Sequence, residues 1–262
     1  MTPDAENLYL GAGHILFDRF NAAGESTGYR HLGNCETLTL TTTIDTIQKK
    51  SSMDGARSLL KEAVIGSLGE FTVVLSEFDV ENLALAFMGE TAAYTQTAAP
   101  GLTAQSINGG VALTFDRWYD LGKKDLSNVV ISQGAALDVD VDYEINLELG
   151  LVKILSTGEG AEAVTTWAGD AAAITGTIIK GLSTGKIEGK LKYHSALDQA
   201  AGPRFELDIH KLKLLPDGDL PFIGEEFGTF TLKGKAQKDT TQPAGQEFYT
   251  LRQLAATETE TS

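Results

Sequence analysis

The sequence has a single cysteine, Cys35, in 262 residues. A lone thiol forms no internal disulfide and has no second cysteine beside it for a Cys-based metal site, so redox chemistry is not expected. Basic side chains are also in short supply, with 21 Lys and Arg against 36 Asp and Glu, a formal charge of −15. That balance argues against a surface that grips a phosphate backbone. No apolar run reaches membrane-spanning length. The opening "MTPDAENLYL" lacks both the basic region and the apolar stretch of a signal peptide. The expectation is a chain made in a cytoplasm that stays soluble or leaves as part of something larger.

Catalytic signatures are missing as well. The four histidines, His14, His31, His194 and His210, show no metal-ligand spacing, and no serine sits in a G-x-S-x-G elbow. "GAGH" at 11–14 lacks the rest of a phosphate-binding fingerprint and reads as a turn. No catalytic residue, cofactor or metal is expected.

What the sequence does have is glycine, 28 residues of it, and short alternating segments. Leu38, Leu40 and Ile44 alternate with threonines; Val111, Leu113 and Phe115 alternate with small or polar residues; Ile187, Leu191 and Tyr193 alternate with Lys and Glu. Each pattern predicts a strand with one buried face. In "RFELDIHKLKLLP" the apolar set runs through Phe205, Leu207 and Ile209, then changes phase to Leu212 and Leu214, which predicts a bulge near His210 or Lys211. Phe230 and Leu232 mark a further strand.

One helix is expected in "DVENLALAFMGE", where Val80, Leu83, Ala84, Phe87 and Met88 follow helical spacing as its core face. Asp79 can cap its start and Gly89 can end it. A second helical pattern occurs at Ala56, Leu59, Leu60, Ala63 and Val64, although residues 61–68 also read as a strand. The polar, small-residue stretch 91–110 reads as a surface loop or inter-subunit arm.

The stretch "DVDVDYEINLELG" stands apart. Asp138, Asp140, Asp142 and Glu144 alternate with Val139, Val141, Tyr143 and Ile145, which predicts a strand with an apolar face and a wholly acidic one. Neighbouring charges about 6.6 Å apart would repel by roughly 0.6 kcal/mol per pair in water. Calcium could relieve this, but aliphatic residues between the acids are unlike an EF-hand loop. A glycosidase needs carboxyls on both sides of a bond, which one strand face does not supply. A solvated face paired with Lys186, Lys190 and Lys192 is the plain alternative.

Four blocks in order carry a resemblance: "GHILFDRFNAAGESTGYRHLGNCETLTL", "SEFDVENLALAFMG", "DYEINLELGLVKIL" and "RFELDIHKLKLLPDGDLPFIGEEFGTFTLKGKAQKD". Together they span most of residues 11–239 and resemble the tail tube (major tail) proteins of long, non-contractile bacteriophage tails. The resemblance implies a mainly β, sandwich or barrel-like fold with one flanking α-helix and extended loops or arms for subunit contacts. It implies one domain over 11–240, with 156–185 as a possible insertion, after an N-terminal segment 1–10. Residues 241–262 would be a C-terminal arm, ending in a disordered "ATETETS".

The same resemblance implies a virion protein made in the host bacterial cytoplasm and without enzyme activity. Its copies would form rings, usually of six, stacked into a hollow tube through which DNA passes. Its further partners would be the tape measure protein and tail terminator or tip proteins. Asp138, Asp140, Asp142 and Glu144 are then candidates for an electronegative lumen from which phosphate does not adhere. Lys49, Lys50, Met53 and Arg57, with Phe248, Tyr249 and Leu251 of the C-terminal arm, are candidate inter-subunit residues. Two other readings of the residues stand beside it. One is a carbohydrate-binding module that stacks sugar on Trp118 and Tyr119, with calcium on the acidic row; the other is a hydrolase with an unrecognised site.

Overall fold

The computed structural model describes residues 8–53, 55–158, 160–195 and 203–254. The last segment of the C-terminal arm, 255–262, and the first seven residues lie outside them, as does Asp54. In chain order the elements are β1 (Gly13–Arg19), β2 (Arg30–His31), β3 (Cys35–Lys50), β4 (Leu59–Leu75) and α1 (Val80–Ala86). Then come β5 (Glu90–Gln96), β6 (Ala99–Ser106), β7 (Trp118–Asp120), β8 (Leu126–Ser132), β9 (Tyr143–Asn146), β10 (Leu151–Ile154), β11 (Thr166–Ala171) and β12 (Ile174–Lys180). β13 (Ile187–Ser195), β14 (Arg204–Asp217), β15 (Phe230–Ala236) and β16 (Tyr249–Leu254) complete the chain. The fold is mainly β, with several antiparallel sheets and one α-helix among the described residues.

The chain divides into two compact units, Met1–Thr91 with Ile179–Ser262, and Ala92–Ile178. The expected single domain over 11–240 is corrected accordingly, and the inserted piece is Ala92–Ile178 rather than 156–185. The physical reason is that this segment closes its own ladders, β6-β11-β8 and β7-β10-β9. It also fills its own core with Trp167, Ile131, Val152, Ile154 and Tyr143. Both cores use the same apolar residue types, so composition does not change at the boundary. The stretch 91–110, expected as a loop, is mostly strand, β5 and β6. The strand expected at Val111–Phe115 is irregular, outside any ladder and with Phe115 already in a turn, and it buries Leu113.

In the first unit one sheet runs β2-β1-β13-β14-β15-β4-β3, with β16 also on β14. Ile15 and Phe17 of β1 share a buried cluster with Phe71, Val73 and Leu75 of β4. In a flat sheet these strands would lie about 19 Å apart. The sheet therefore coils over itself and packs its own inner face, as twisted sheets of this width do.

β14 carries the bulge that its phase change predicts. Gly189 is opposite Leu212 and Leu191 is opposite Ile209, so β14 has one residue more than β13 between the same rungs. At that point β14 exchanges its outer neighbour, β16 on 204–209 for β15 on 212–217.

The helix forms where expected, and the Asp79 carboxylate accepts from the Asn82 N–H at 2.6 Å. Its buried face is different. Asn82, Ala84 and Leu85 are buried, whereas Val80 is exposed and Leu83 only half-buried. Phe87 is the C-cap, and Met88, with φ +49°, has left the helix but still packs on the main core. Asn82 is what rotates the face: its side-chain amide donates to the carbonyls of Leu32 and Glu77, and its Oδ1 accepts from Arg30. A buried polar group that is fully hydrogen-bonded is tolerated inside, and hydrophobic spacing does not register it.

Candidate functional site

β3 and β4 form a hairpin from Cys35 opposite Leu75 to Lys50 opposite Leu59, with register shifts at Cys35/Thr37, Asp45/Thr46 and Lys49/Lys50. Of the stretch 54–64, with its helical spacing, the described residues 55–64 are thus the end of the hairpin and the start of β4. Cross-strand pairing over 15 rungs outweighs the weak helical pattern. β15 covers β4 only across Glu70–Leu75, and β3 is the last strand of the sheet. Among the described residues the hairpin beyond Gly69 therefore has two unpaired edges, over roughly 30 Å.

This projecting part is apolar as well as unpaired. Ile44, Ile47, Leu59, Leu60, Val64 and Ile65 are 52–67% exposed, and Met53 at the turn is 97% exposed. It is also basic. Lys49 stands directly opposite Lys61, with Lys50 and Arg57 nearby, and none of the four makes an ion pair with a described residue. Like charges directly opposite each other destabilise a hairpin on its own. The candidates Lys49, Lys50, Met53 and Arg57 are thus gathered on one arm. Leu60, Val64 and Ile65 belong with them and were obscured by the helical reading.

The C-terminal candidates divide. Phe248 and Tyr249 pack on the core of the first unit, and the Tyr249 hydroxyl is 2.7 Å from that of Thr42 where the hairpin leaves the sheet. Within the subunit both are half-buried supports of the sheet, since β16 is a strand of it. Leu251 remains exposed.

The acidic row does not exist as a strand face. Residues 140–142 form a turn, Asp140 has φ +63°, and β9 starts only at Tyr143. Asp142 is buried, and its carboxylate accepts from the Asp138 N–H at 2.8 Å, a local bond available to Asp that competes with the ladder. Val139 and Val141 are exposed, contrary to the expected apolar face. Glu144 pairs with Lys153 at 2.8 Å. Lys186 pairs with Glu188, and Lys192 with Glu206 and Asp208, so neither answers the acidic row. Of the four acids, Asp138 and Asp140 are exposed.

The other readings meet specific obstacles. On β7 the side chains of Trp118 and Tyr119 point to opposite faces, so they make no common platform. The Lys153 ammonium already sits 5.2 Å from the Trp118 ring centre, and the Tyr119 hydroxyl accepts from the Thr114 N–H. Among the described residues no group of three or more His, Cys, Asp or Glu is placed to hold a metal ion. Burial, then the nearby Glu77 carboxylate, pushes the Cys35 thiol up to about 11, which keeps it protonated and a poor nucleophile at neutral pH.

The comparisons bear on the whole of this architecture. Residues 8–249 match the family described as Protein of unknown function UCP028589. The chain belongs to that family. No curated protein matches the sequence significantly. The family match takes in both units, the helix and the entire hairpin, and ends at the first residue of β16.

Proposed function

We propose that this protein is a structural subunit that assembles with copies of itself into stacked rings, the tail tube of a long non-contractile phage tail. The observation that carries this reading is the β3–β4 hairpin. It exposes seven large apolar side chains and two free edges that are costly in an isolated chain and useful in an assembly. The order of the four sequence blocks supports the same reading. In such a tube the subunit is not an enzyme and carries no cofactor. Its partners are six-membered rings of itself, the tape measure protein and the terminator or tip proteins, and DNA passes without being held.

A net charge of −15 suits a wall that must not retain phosphate. The lumen role first ascribed to Asp138, Asp140, Asp142 and Glu144 is narrowed, since Asp142 supports a turn and Glu144 is paired. Asp138 and Asp140 are the two that can contribute charge to such a wall.

Electron microscopy and sedimentation velocity of the purified full chain test the proposal. Rings or tubes are expected at high concentration. Replacing residues 43–66 by a two-residue turn should abolish them while the sheet still melts cooperatively. A chain that stays monomeric up to its solubility limit overturns the reading.

A further inference from the structure

A second exposed apolar surface lies in the loop from Gly218 to Thr229. Phe222, Ile223 and Phe227 are 78%, 98% and 101% exposed, three large apolar groups within six residues. The loop touches the rest of its unit through Phe222, which stacks on Phe87 with ring centres 6.2 Å apart, and it leads into Phe230, whose ring meets Phe78 edge-on at 5.4 Å. Its charges are all acidic. Asp219, Glu225 and Glu226 are exposed, and none makes an ion pair with a described residue.

This surface is the counterpart of the hairpin. On the hairpin, exposed apolar groups stand among Lys49, Lys50, Arg57 and Lys61, which outnumber Asp45 and Glu62 there; on the loop they stand among Asp219, Glu225 and Glu226 with no cation, and none of these seven named cations and loop acids has an ion pair with a described residue. The two cannot meet within one chain. Phe230, where the loop ends, is opposite Leu75, and Leu75 is the far end of β4 from the hairpin turn. The 17 residues of β4 hold them roughly 50 Å apart.

Resting on the self-assembly reading, we infer that the basic, apolar hairpin of one copy docks on the acidic, apolar loop 218–229 of the next copy. The contact joins two different patches at opposite ends of the same strand pair. It is therefore head-to-tail, and where its rotation does not close into a ring it repeats along an axis, as stacking rings require. Apolar burial supplies the attraction, while opposite charges set the register and reject a hairpin-to-hairpin pairing.

The test is a charge exchange in the full chain, read by sedimentation velocity over a concentration series. Lys49→Glu with Lys61→Glu should raise the concentration needed for assembly by about tenfold or more, and Glu225→Lys with Glu226→Lys should do the same. Combining all four should restore assembly to within about threefold of the parent. Melting curves check that each variant is folded. A second measurement does not depend on charge: in a Cys35→Ser background, Met53→Cys mixed with Ile223→Cys should form a disulfide-linked dimer of one copy of each variant.

If the parent assembles but the loop variants are silent, or the exchange gives no rescue, or the mixed thiols do not crosslink, the docking proposal is overturned and self-assembly stands. If the parent never assembles, the function reading falls and takes this contact with it.

Discussion

Phe71 and Ile65 are six residues apart on the same strand, and their surroundings differ completely. Phe71, Val73 and Leu75 are at most 1% exposed, while Leu59, Leu60, Val64 and Ile65 on the same β4 are 52–67% exposed. Both halves are rich in apolar, β-favouring residues, and both pair with β3. What separates them is a third strand and a facing layer. β15 flanks β4 only over Glu70–Leu75, and there the coiled sheet brings β1 and β13 across to meet it. Strand formation is a local matter, but burial needs neighbours that the chain brings from far away.

Bulk at the buried end gives the largest expected effect. Phe71→Ala should cost about 3–5 kcal/mol, measured by denaturant unfolding under conditions that keep the chain unassembled. A related change acts by excess volume. A Cβ at Gly234, the cross-strand partner of Phe71, would overlap the Cε1–Cζ edge of the Phe71 ring. Gly234→Ala should therefore cost about 1–3 kcal/mol through forced rearrangement. Effects under 0.5 kcal/mol at both positions would dissolve the contrast between the two halves.

Charge sharpens the same contrast. Lys49 faces Lys61 on the projecting hairpin, whereas Lys192 on β13 contacts Glu206 and Asp208, which Arg252 also binds from β16. Burial works against the Lys192 charge, but hydrogen bonds and attraction from Asp208 and Glu206 more than offset it and raise its pKa above the ordinary 10.5. A raised pKa in the folded state means that this stabilisation is complete below 10.5 and is lost as pH climbs through the raised value. Parent and Lys192→Met stabilities should therefore differ at neutral pH and converge above pH 10.5. A gap that stays constant there would show that packing of the lysine stem, not charge, accounts for it.

The smallest effect on folding belongs to the exposed end. Ile65→Ser and Val64→Ser should change the stability of the unassembled chain by no more than about 0.5 kcal/mol. Assembly, followed by light scattering, should weaken in both. Strong destabilisation of the unassembled chain would mean that the projecting half is packed within its own subunit.

The bulge in β14 was legible because a phase change in alternation leaves few alternatives: an inward set cannot become outward without an extra residue. The cap at Asp79 was legible for a similarly local reason. The acidic row misled because alternation is necessary for a half-buried strand but does not make one. Asp142 bonds to the backbone of Asp138, Asp140 takes a left-handed φ, and the segment turns before any ladder starts. The inward face of the helix was misplaced because buried Asn82 carries no hydrophobic signal.

The amino-acid sequence by itself determined the acidic balance, the mainly β character, the α-helix after Asp79 and its cap, and the absence of a recognisable catalytic pattern. These are sums over residues or features of a few adjacent ones. Only the tertiary structure decided that 92–178 closes as a unit of its own and that β16 is bound into the sheet. It alone left one half of β4 without a third strand, and so put apolar side chains on the surface. Each of these depends on which distant strand arrives as a neighbour, and hydrogen-bond ladders between remote segments leave no periodic mark in either segment alone.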